Sequence, residues 1–345
     1  MYDYSSIGAN MKVLITGVAG FIGSNLAERL LENSETRNQQ SAIQDIDVVG
    51  IDNLAYGVKE QIPEGVDFYQ MDIRSRAIYP LFENIDYVFH LAAKNCIADC
   101  QSDPVETADI NVTGSVNVFE AARRAGVKKV IYAESSAMYE GSAVFPTPES
   151  EVKPESFYAV SKLASMYFAE AYRRFYTSQP TSHSSSLTSD KLNFTALRYF
   201  CVYGPRQDYR RSIPPVMSAF IIKLLNGGTP VIYGTGDKKR DFVYVDDVND
   251  FHLLCMSDPR TDGNVYNVGS GVNYSVNDIY EMISSLLDVS KVPRYEADLP
   301  GEAQVTLADI SAARSLGWRP KTDIKEGLEE MIQYIKREMS EGKIG

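Results

Sequence analysis

Several residue types are scarce in this sequence of 345 residues, and each shortage excludes a class of protein. The four cysteines, Cys96, Cys100, Cys201 and Cys255, are too few for a disulfide scaffold. No histidine or second cysteine pair follows Cys96 and Cys100 at zinc-ligand spacing, so we expect no metal site. No apolar run approaches the roughly 18 residues of a membrane helix, and the first ten residues lack a signal-peptide core. We therefore expect a cytoplasmic protein with no membrane partner.

Basic residues are also in deficit, with 34 Lys and Arg against 46 Asp and Glu and a net charge of -12. This balance argues against nucleic acid as a partner, because nucleic-acid binding requires positive surface charge. It leaves room for a phosphorylated small molecule, which a few local Arg and Lys side chains can hold. The length exceeds that of one hydrophobic core and predicts two parts.

Short apolar runs alternate with helical patterns over the first two-thirds of the chain. This alternation predicts an α/β fold, a Rossmann-type doubly wound parallel sheet, followed by a smaller C-terminal α/β lobe for substrate. The expected boundaries are 11–200 plus about 236–270 for the sheet domain and about 201–235 plus 271–335 for the lobe. Residues 1–10 are expected to be a loose leader, and the polar stretches 32–45 and 177–191 surface loops.

A glycine-rich turn lies between the first predicted strand and helix. Gly17 permits the tight turn, Gly20 lets the backbone approach a pyrophosphate, and Gly23 lets the helix pack closely on the sheet. Phe21 and Ile22 open the helix, whose N-terminus offers free N–H groups to phosphates. The spacing is G-x-x-G-x-x-G, and its strand-turn-helix context predicts a dinucleotide site.

Acidic residues end the next two predicted strands. Asp52, followed by Asn53, is placed to accept hydrogen bonds from the adenosine ribose hydroxyls and would repel the 2′-phosphate of NADP. We therefore predict NAD as the cofactor. Asp72 and Ile73 close the third strand and have a weaker claim to flank the adenine.

Tyr158 and Lys162 are four residues apart on a predicted helix, so they share one face. A tyrosine is a poor base at neutral pH, but a nearby ammonium favours the phenolate. The pair thus suits a general base and its electrostatic partner. Ser135 and Ser136 follow a strand at the sheet edge where ligands bind. We favour Ser136 as a substrate contact, since Ser135 could equally be a strand-end residue.

Taken together, these features resemble the extended short-chain dehydrogenase/reductase family, in its nucleotide-sugar epimerase and dehydratase branch. The resemblance runs in order from about residue 12 to 320. It is carried by the glycine turn, the Tyr158/Lys162 pair and a set of further motifs: His90-Leu-Ala-Ala93, Asn111-Val-Thr-Gly-Ser, Ser135-Ser-Ala137, Arg198-Tyr-Phe, Tyr203-Gly-Pro-Arg-Gln207, Arg240-Asp-Phe-Val-Tyr-Val-Asp-Asp247, Asn267-Val-Gly-Ser-Gly271 and Leu307-Ala-Asp309.

The resemblance implies 4-epimerisation of a nucleoside-diphosphate sugar, a UDP-hexose or UDP-N-acetylhexosamine, through a transient 4-keto sugar. Tyr158 would take the proton of the sugar 4-hydroxyl, Lys162 would also bind the nicotinamide ribose, and Ser136 would hold the 4-oxygen. Further cofactor contacts are implied at Leu91, Ala92 and Ala93. The implied substrate contacts are Lys94, Ser135, Ser136, Tyr158, Cys201, Arg206, Tyr233, Arg240, Glu302 and Thr306.

Several of these positions depart from the family pattern. Cys201 replaces an asparagine whose amide helps to bind the nucleotide diphosphate. Leu299 replaces a phosphate-binding arginine, and Glu140 stands where the family has glycine. Thr306, at the position that screens the C2 substituent, is small, which predicts room for an N-acetyl group.

Alternative activities within the same branch remain open. A 4,6-dehydratase or a decarboxylase requires an acid directly after the catalytic hydroxyl, where this chain has Ala137 and Met138. A C3/C5 epimerase would need further acid–base groups, for which Cys100, Asp99 and Lys94 are candidates. A non-catalytic NAD-binding regulator would have lost the Tyr/Lys pair. We also expect a homodimer formed through the helices at 110–125 and 157–176.

Overall fold

A computed structural model describes residues 11–36, 46–176, 192–210, 214–298 and 303–344. Its strands are β1 (Met11–Thr16), β2 (Ile46–Asp52), β3 (Val66–Gln70), β4 (Tyr87–His90), β5 (Lys129–Ser135), β6 (Phe194–Tyr199), β7 (Cys201–Tyr203), β8 (Val231–Tyr233), β9 (Lys239–Tyr244), β10 (Val265–Val268), β11 (Asn273–Ser275) and β12 (Arg294–Glu296). Its helices are α1 (Phe21–Thr36), α2 (Ile97–Ser102), α3 (Pro104–Ala108), α4 (Ser115–Ala125), α5 (Phe157–Phe175), α6 (Val216–Leu225), α7 (Val245–Ser257), α8 (Val276–Leu287), α9 (Ser311–Ser315) and α10 (Ile324–Ser340). The predicted leader and the stretch 177–191 lie outside the described residues.

The central sheet has the strand order β10-β6-β5-β4-β1-β2-β3. The pairs β1–β2, β1–β4, β2–β3 and β4–β5 are parallel. The order reverses between β1 and β4, and ligands of such sheets bind beyond the carboxyl ends of the strands at this reversal. The predicted Rossmann-type fold is thereby confirmed, with the glycine turn at the switch point.

The sequence forms these elements for local reasons. β1, for example, is buried along almost its whole length, as a strand covered on both faces should be. α4 ends at Gly126 in a left-handed conformation, the usual helix C-cap. Side chains of the sheet and of α4 and α5 form one apolar core, which includes Leu14, Val88 and Phe119.

A second compact unit comprises 143–150, 199–248 and the described residues from 267 onward. Within it, β9 pairs parallel with β7 and antiparallel with β11, and β8 pairs parallel with β12. Trp318, fully buried, donates from Nε1 to the Asp247 carbonyl at 2.9 Å. The Asp247 carboxylate accepts from the backbone nitrogens of Lys321 and Thr322, which fixes the approach to α10.

The observed division differs from the predicted one mainly at residues 143–150 and 236–248, and by a few residues at 199–200 and 267–270. Residues 236–248 belong to the second unit because β9 pairs with β7 and β11. Residues 143–150 also belong to it, since Thr147 exchanges backbone hydrogen bonds with Leu307 and Asp309 at 2.8 and 3.1 Å. These pairings join segments distant in sequence, which local patterns cannot reveal.

Candidate active site

The turn between β1 and α1 packs backbone against backbone. Gly17 adopts φ +76°, and a Cβ there would lie 2.8 Å from the Ala92 nitrogen. A Cβ on Gly23 would lie 2.2 Å from the Gly17 carbonyl oxygen, so glycine is required for α1 to begin here. At Gly20, a Cβ would meet no described atom within 4 Å except that same oxygen, at 3.2 Å. The open face at Gly20 fits a pyrophosphate, as do the first N–H groups of α1, which have no carbonyl partner within the helix.

Asp52 ends β2 beside this turn. Its Oδ2 accepts a hydrogen bond from the Ala19 nitrogen at 3.1 Å, and its Oδ1 accepts one from the Leu54 nitrogen at 2.8 Å. Burial raises the pKa of Asp52, and these two N–H groups oppose that rise. The carboxylate is thus fixed by backbone at the sheet edge, where it fits the ribose hydroxyls of a dinucleotide.

Asp72 and Ile73, which were predicted to flank the adenine, differ in the partners of their side chains. Asn53 donates from Nδ2 to Asp72 at 3.0 Å. Hydrogen bonds from Arg74, whose Nη2 lies 2.7 Å from Asp72 Oδ2, lower the pKa of Asp72 to about 2. The Ile73 side chain is buried, and a Cβ on Gly114 would lie 2.7 Å from it. Ile73 therefore packs in the core, and its side chain is not presented at the surface of the sheet edge.

A buried histidine ties β1 to β4. The Ser115 hydroxyl donates to a main-chain carbonyl one turn earlier at 2.5 Å, so it accepts from His90 Nε2 at 2.9 Å. His90 Nδ1 then accepts from the Thr16 hydroxyl at 2.7 Å, and the Ala92 nitrogen donates to that hydroxyl at 3.3 Å. Burial lowers the pKa of His90 to about 3, so the ring is neutral. The network fixes Leu91–Ala93, the predicted cofactor segment.

Asn111 lies in a π-helical turn, Asp109–Gly114, before α4. Its amide joins the β4 end to α5: Oδ1 accepts from the Lys94 nitrogen at 2.8 Å, and Nδ2 donates to the Lys94 carbonyl at 3.0 Å and to Ser161 Oγ at 2.9 Å. The Lys94 side chain is buried, and its ammonium pairs with Glu106 at 2.5 Å. The predicted substrate contact Lys94 therefore already has an anionic partner.

The departure at Glu140 has a structural role. Its carboxylate accepts from the backbone nitrogens of Glu155 and Ser156 at 3.0 and 2.7 Å and from the Ser156 hydroxyl at 2.8 Å. Ser156 Oγ in turn caps α5 by accepting from the Ala159 nitrogen at 3.1 Å. Glu140 therefore fastens the first turn of the helix that carries Tyr158.

Tyr158 and Lys162 occupy successive turns at the start of α5. Tyr158 is half-buried, and its carbonyl accepts from Ser161 Oγ at 2.8 Å. Lys162 is buried, with its Nζ 4.2 Å from the centroid of the Tyr132 ring. Burial lowers the pKa of Lys162 to about 7, and the negative charge of Glu134 opposes this shift. The pair thus consists of a half-buried tyrosine and, one helical turn later, a desolvated lysine.

Two serine hydroxyls lie at the end of β5. Ser135 Oγ accepts from the Ala137 nitrogen at 3.2 Å and so caps the short turn Ser136–Tyr139. Ser136 is half-buried at the start of that turn. Ala137 and the buried Met138 follow, and neither can transfer a proton.

The remaining predicted substrate contacts lie in the second unit. Three of them are half-buried: Cys201 on β7, Arg206 in the turn after β7, and Arg240 on β9. Tyr233, at the end of β8, is exposed. Thr306 is held on the sheet, since its Oγ1 accepts from the Asp241 nitrogen at 3.1 Å. The predicted contact Glu302 and the neighbouring departure at residue 299 lie outside the described residues.

The model of the NAD dependent epimerase/dehydratase family matches residues 13–269. The chain belongs to this family. This membership confirms the prediction, made from the glycine turn and Asp52, that the chain is an NAD-dependent enzyme.

Relatives of known structure and activity extend over almost the whole chain. The UDP-glucose 4-epimerase of Mycolicibacterium smegmatis is 32% identical over 336 residues, covering 94% of this chain and 99% of its own. The crystal structure of the UDP-glucose 4-epimerase of Thermotoga maritima with UDP-glucose is 32% identical, with a TM-score of 0.85 over 95% of this chain and 100% of that one. The UDP-N-acetylglucosamine 4-epimerase of Methanobrevibacter ruminantium, in complex with UDP-N-acetylmuramic acid, is 30% identical, also with a TM-score of 0.85, over 96% and 100%.

Three residues that support the candidate site were not predicted as site residues from the sequence: His90, Asn111 and Glu134. His90 and Asn111 stood inside recognised motifs, yet their hydrogen-bonding roles join distant segments and have no local signal. Glu134 had one signal, a carboxylate within the otherwise apolar run of β5.

Among the described residues, no helix combines the length and the apolar character that crossing a membrane requires. Over the same residues, no group of three or more His, Cys, Asp or Glu side chains is arranged to hold a metal ion.

Proposed function

We propose that this chain catalyses the reversible inversion of C4 in a UDP-hexose or UDP-N-acetylhexosamine through a 4-keto sugar. The observation that carries the proposal is the half-buried Tyr158 one turn before the buried Lys162, on a helix whose start is fixed at the carboxyl edge of the sheet. A pair of this kind suffices for proton transfer at one hydroxyl.

Residues of the first unit would hold the cofactor. Gly17, Gly20 and Gly23 leave the backbone open to the pyrophosphate, and the first turn of α1, with Phe21 and Ile22, supplies N–H donors. Asp52 would accept from the adenosine ribose. When bound, NAD supplies the site that accepts the C4 hydride and returns it.

The proton chemistry belongs to the chain itself. Tyr158, as phenolate, would accept the proton of the 4-hydroxyl and return it after the keto sugar has turned over. The Lys162 ammonium favours the phenolate by its charge. Ser136, with Ser135 as the alternative, would donate to the 4-oxygen and hold it at the base.

The carboxylates near Ser135 and Ser136 are engaged in structural contacts, which favours epimerisation over dehydration. Loss of water or carbon dioxide requires a further acid or base at the sugar. Glu134 is fully buried and paired with Arg198 at 2.5 Å. Glu140 is occupied by the N–H groups of the α5 start. Both carboxylates next to the serines therefore have structural partners.

Arg240, Arg206 and Tyr233 of the second unit are the proposed nucleotide-diphosphate and sugar contacts. Arginine suits this role because its planar guanidinium donates bidentately to phosphate. Thr306 is short and bound to the backbone of β9, which supports acceptance of an N-acetyl group at C2.

The proposal is tested by incubating the purified protein with UDP-glucose, UDP-N-acetylglucosamine and UDP-glucuronate and analysing the products by chromatography and mass spectrometry. We expect a new isomer of unchanged mass from at least one of the first two, and none with Tyr158→Phe. Products lighter by one water or one carbon dioxide would instead assign a dehydratase or a decarboxylase.

We further propose that the protein is a homodimer through α5. Phe157, Val160, Tyr167 and Phe168 are all more than 40% exposed on this helix and recur at helical spacing. Other apolar residues of the two helices predicted to form the dimer, Phe119, Met166 and Ala169, are buried in the core. Val160→Glu should convert a dimer to a monomer in light scattering.

A further inference from the structure

Glu134 is a buried carboxylate on β5 that directly follows the buried residues 130–133. Its side chain is 0% exposed and that of its partner Arg198 2% exposed. Burying two charges is costly unless every polar atom finds a partner. How the oxygens of Glu134 are used therefore indicates why this residue is present.

Only one of the two oxygens is used within the pair. Arg198 donates from Nε to Glu134 Oε2 at 2.5 Å and from Nη1 to the Tyr139 hydroxyl at 3.0 Å. Glu134 Oε1 has no hydrogen-bond partner among the described residues, although it is buried. A carboxylate placed solely to neutralise Arg198 would gain from a second hydrogen bond.

The Lys162 ammonium lies on the side of β5 from which Glu134 projects, because Tyr132 and Glu134 are two residues apart on this strand and point to the same face. The groups found to interact with its ammonium are the Tyr132 ring of β5, with the centroid 4.2 Å from Nζ, the neutral His90 of β4 and Glu134. Glu134 is the acidic group among them. Burial raises its own pKa, and the charges of Arg198 and Lys162 oppose that rise. Its carboxylate in turn raises the pKa of Lys162 against the effect of burial.

We propose that Glu134 is a positioning residue that keeps the Lys162 ammonium charged beside Tyr158. Arg198 binds Oε2 of the carboxylate. Oε1, which has no hydrogen-bond partner among the described residues, leaves negative charge on the face of β5 over which the Lys162 ammonium lies. Without Glu134, burial would favour neutral Lys162 near neutral pH, and Tyr158 would lose the charge that favours its phenolate. The kinetic consequence rests on the proposed function, whereas the state of Lys162 does not.

The direct test is the titration of Lys162 in the purified holoenzyme, followed by NMR of isotope-labelled lysine side chains and assigned by the signal missing in Lys162→Met. In Glu134→Gln the pKa of Lys162 should fall by about one unit or more. A pKa of Lys162 that is the same in wild type and Glu134→Gln would overturn the proposal.

Asp262→Asn provides the matched control, because Asp262 pairs with a different buried lysine, Lys129, at 2.5 Å in the same unit. It should leave the titration of Lys162 unchanged. If Glu134→Gln fails to fold because Arg198 is left unpaired, the double variant Glu134→Gln/Arg198→Gln removes both charges. A smaller fall in the Lys162 pKa is expected there, because the loss of the Arg198 charge opposes it. The absence of any fall counts against the proposal.

Kinetics separate this inference from the proposed function. In an active epimerase, the alkaline limb of the kcat–pH profile should move down by the same amount as the Lys162 pKa in Glu134→Gln. A Lys162 shift in a protein that converts no UDP-sugar would refute the proposed function and leave the role of Glu134 supported. Turnover of a UDP-sugar combined with an unchanged Lys162 pKa in Glu134→Gln would support the proposed function and refute the role of Glu134.

Discussion

The candidate cofactor contacts of the first unit are backbone atoms or side chains fixed by backbone, whereas the candidate substrate contacts of the second unit are side chains on short strands and loops. Gly17 and Gly23 admit no Cβ, and Asp52 is held by two N–H groups. Arg206 and Arg240 are half-buried and Tyr233 is exposed, and each would contact the substrate through its side chain. A backbone site specifies the constant part of the chemistry, and side chains on short elements can change with the sugar.

The largest effect is expected at the proton-transfer pair of the first unit. Tyr158→Phe removes the hydroxyl that would accept the C4 proton and should lower kcat by about 10²–10⁴-fold. NAD content should stay at the wild-type level, because the contacts of the glycine turn are untouched. Turnover within a few-fold of wild type would remove Tyr158 from the mechanism.

The two serines require a parallel comparison. If Ser136 holds the 4-oxygen, Ser136→Ala should lower kcat by at least about ten-fold, and Ser135→Ala should act mainly on stability through the lost cap. Steady-state kinetics and denaturant unfolding of both variants separate the roles. The opposite pattern would assign the substrate contact to Ser135.

Two glycines with similar backbone conformations sharpen the contrast between the units. Gly17 has φ +76° and no room for a Cβ, while Gly227 in the second unit has φ +68° and no described atom within 4 Å. Gly227→Ala should cost about 1–2 kcal/mol of stability from its left-handed conformation alone. Gly17→Ala should cost about 3 kcal/mol or more and empty the cofactor site, because overpacking adds to the strain. Equal losses measured by denaturant unfolding would contradict the tight turn.

Acid should affect the first unit before the second. His90 and His252, both in the first unit, have a pKa lowered by burial from 6.5 to about 3. Below pH 6.5 the unfolded chain binds protons that the folded unit does not. The contribution of these histidines to the free energy of unfolding is therefore fully present above pH 6.5. It is lost as the pH falls toward 3, by up to about 1.4 kcal/mol per pH unit for each histidine.

Hydrogen exchange at pH 7 and pH 5 measures this effect in the first unit, and the fluorescence of Trp318, the one tryptophan of the chain, reports on the second. We expect faster exchange in the first unit with unchanged fluorescence. His252→Gln should reduce the acid effect. Exchange that rises equally in both units would count against buried histidines as its cause.

The smallest effect is expected at the altered substrate contact. Cys201→Asn restores the amide that the family uses at the diphosphate and should lower KM for the UDP-sugar by about three- to ten-fold, with kcat and NAD content unchanged. Cys201→Ser is the size-matched control without the amide. An unchanged KM in the Asn variant would mean that residue 201 does not contact the nucleotide.

The same contrast explains how much the sequence revealed. The glycine turn, Asp52 and the Tyr158/Lys162 pair were predictable because each depends on a local backbone requirement or helical spacing. The Asn111 bridge to Lys94 and Ser161 and the Glu134–Arg198 pair join residues 17 to 64 positions apart, for which local patterns carry no information. The role of Glu140 was visible only as a departure, since its partners 15 and 16 residues later are backbone atoms.

The fate of the C4 hydrogen tests the central claim most directly. UDP-glucose deuterated at C4 is incubated with the purified protein in ordinary water, and the isomer formed is examined by NMR. The account predicts that the product retains deuterium at C4 and gains no solvent hydrogen at any ring carbon, because the hydride returns to the carbon it left. Loss of the label from C4, or solvent hydrogen at C3 or C5, would contradict it.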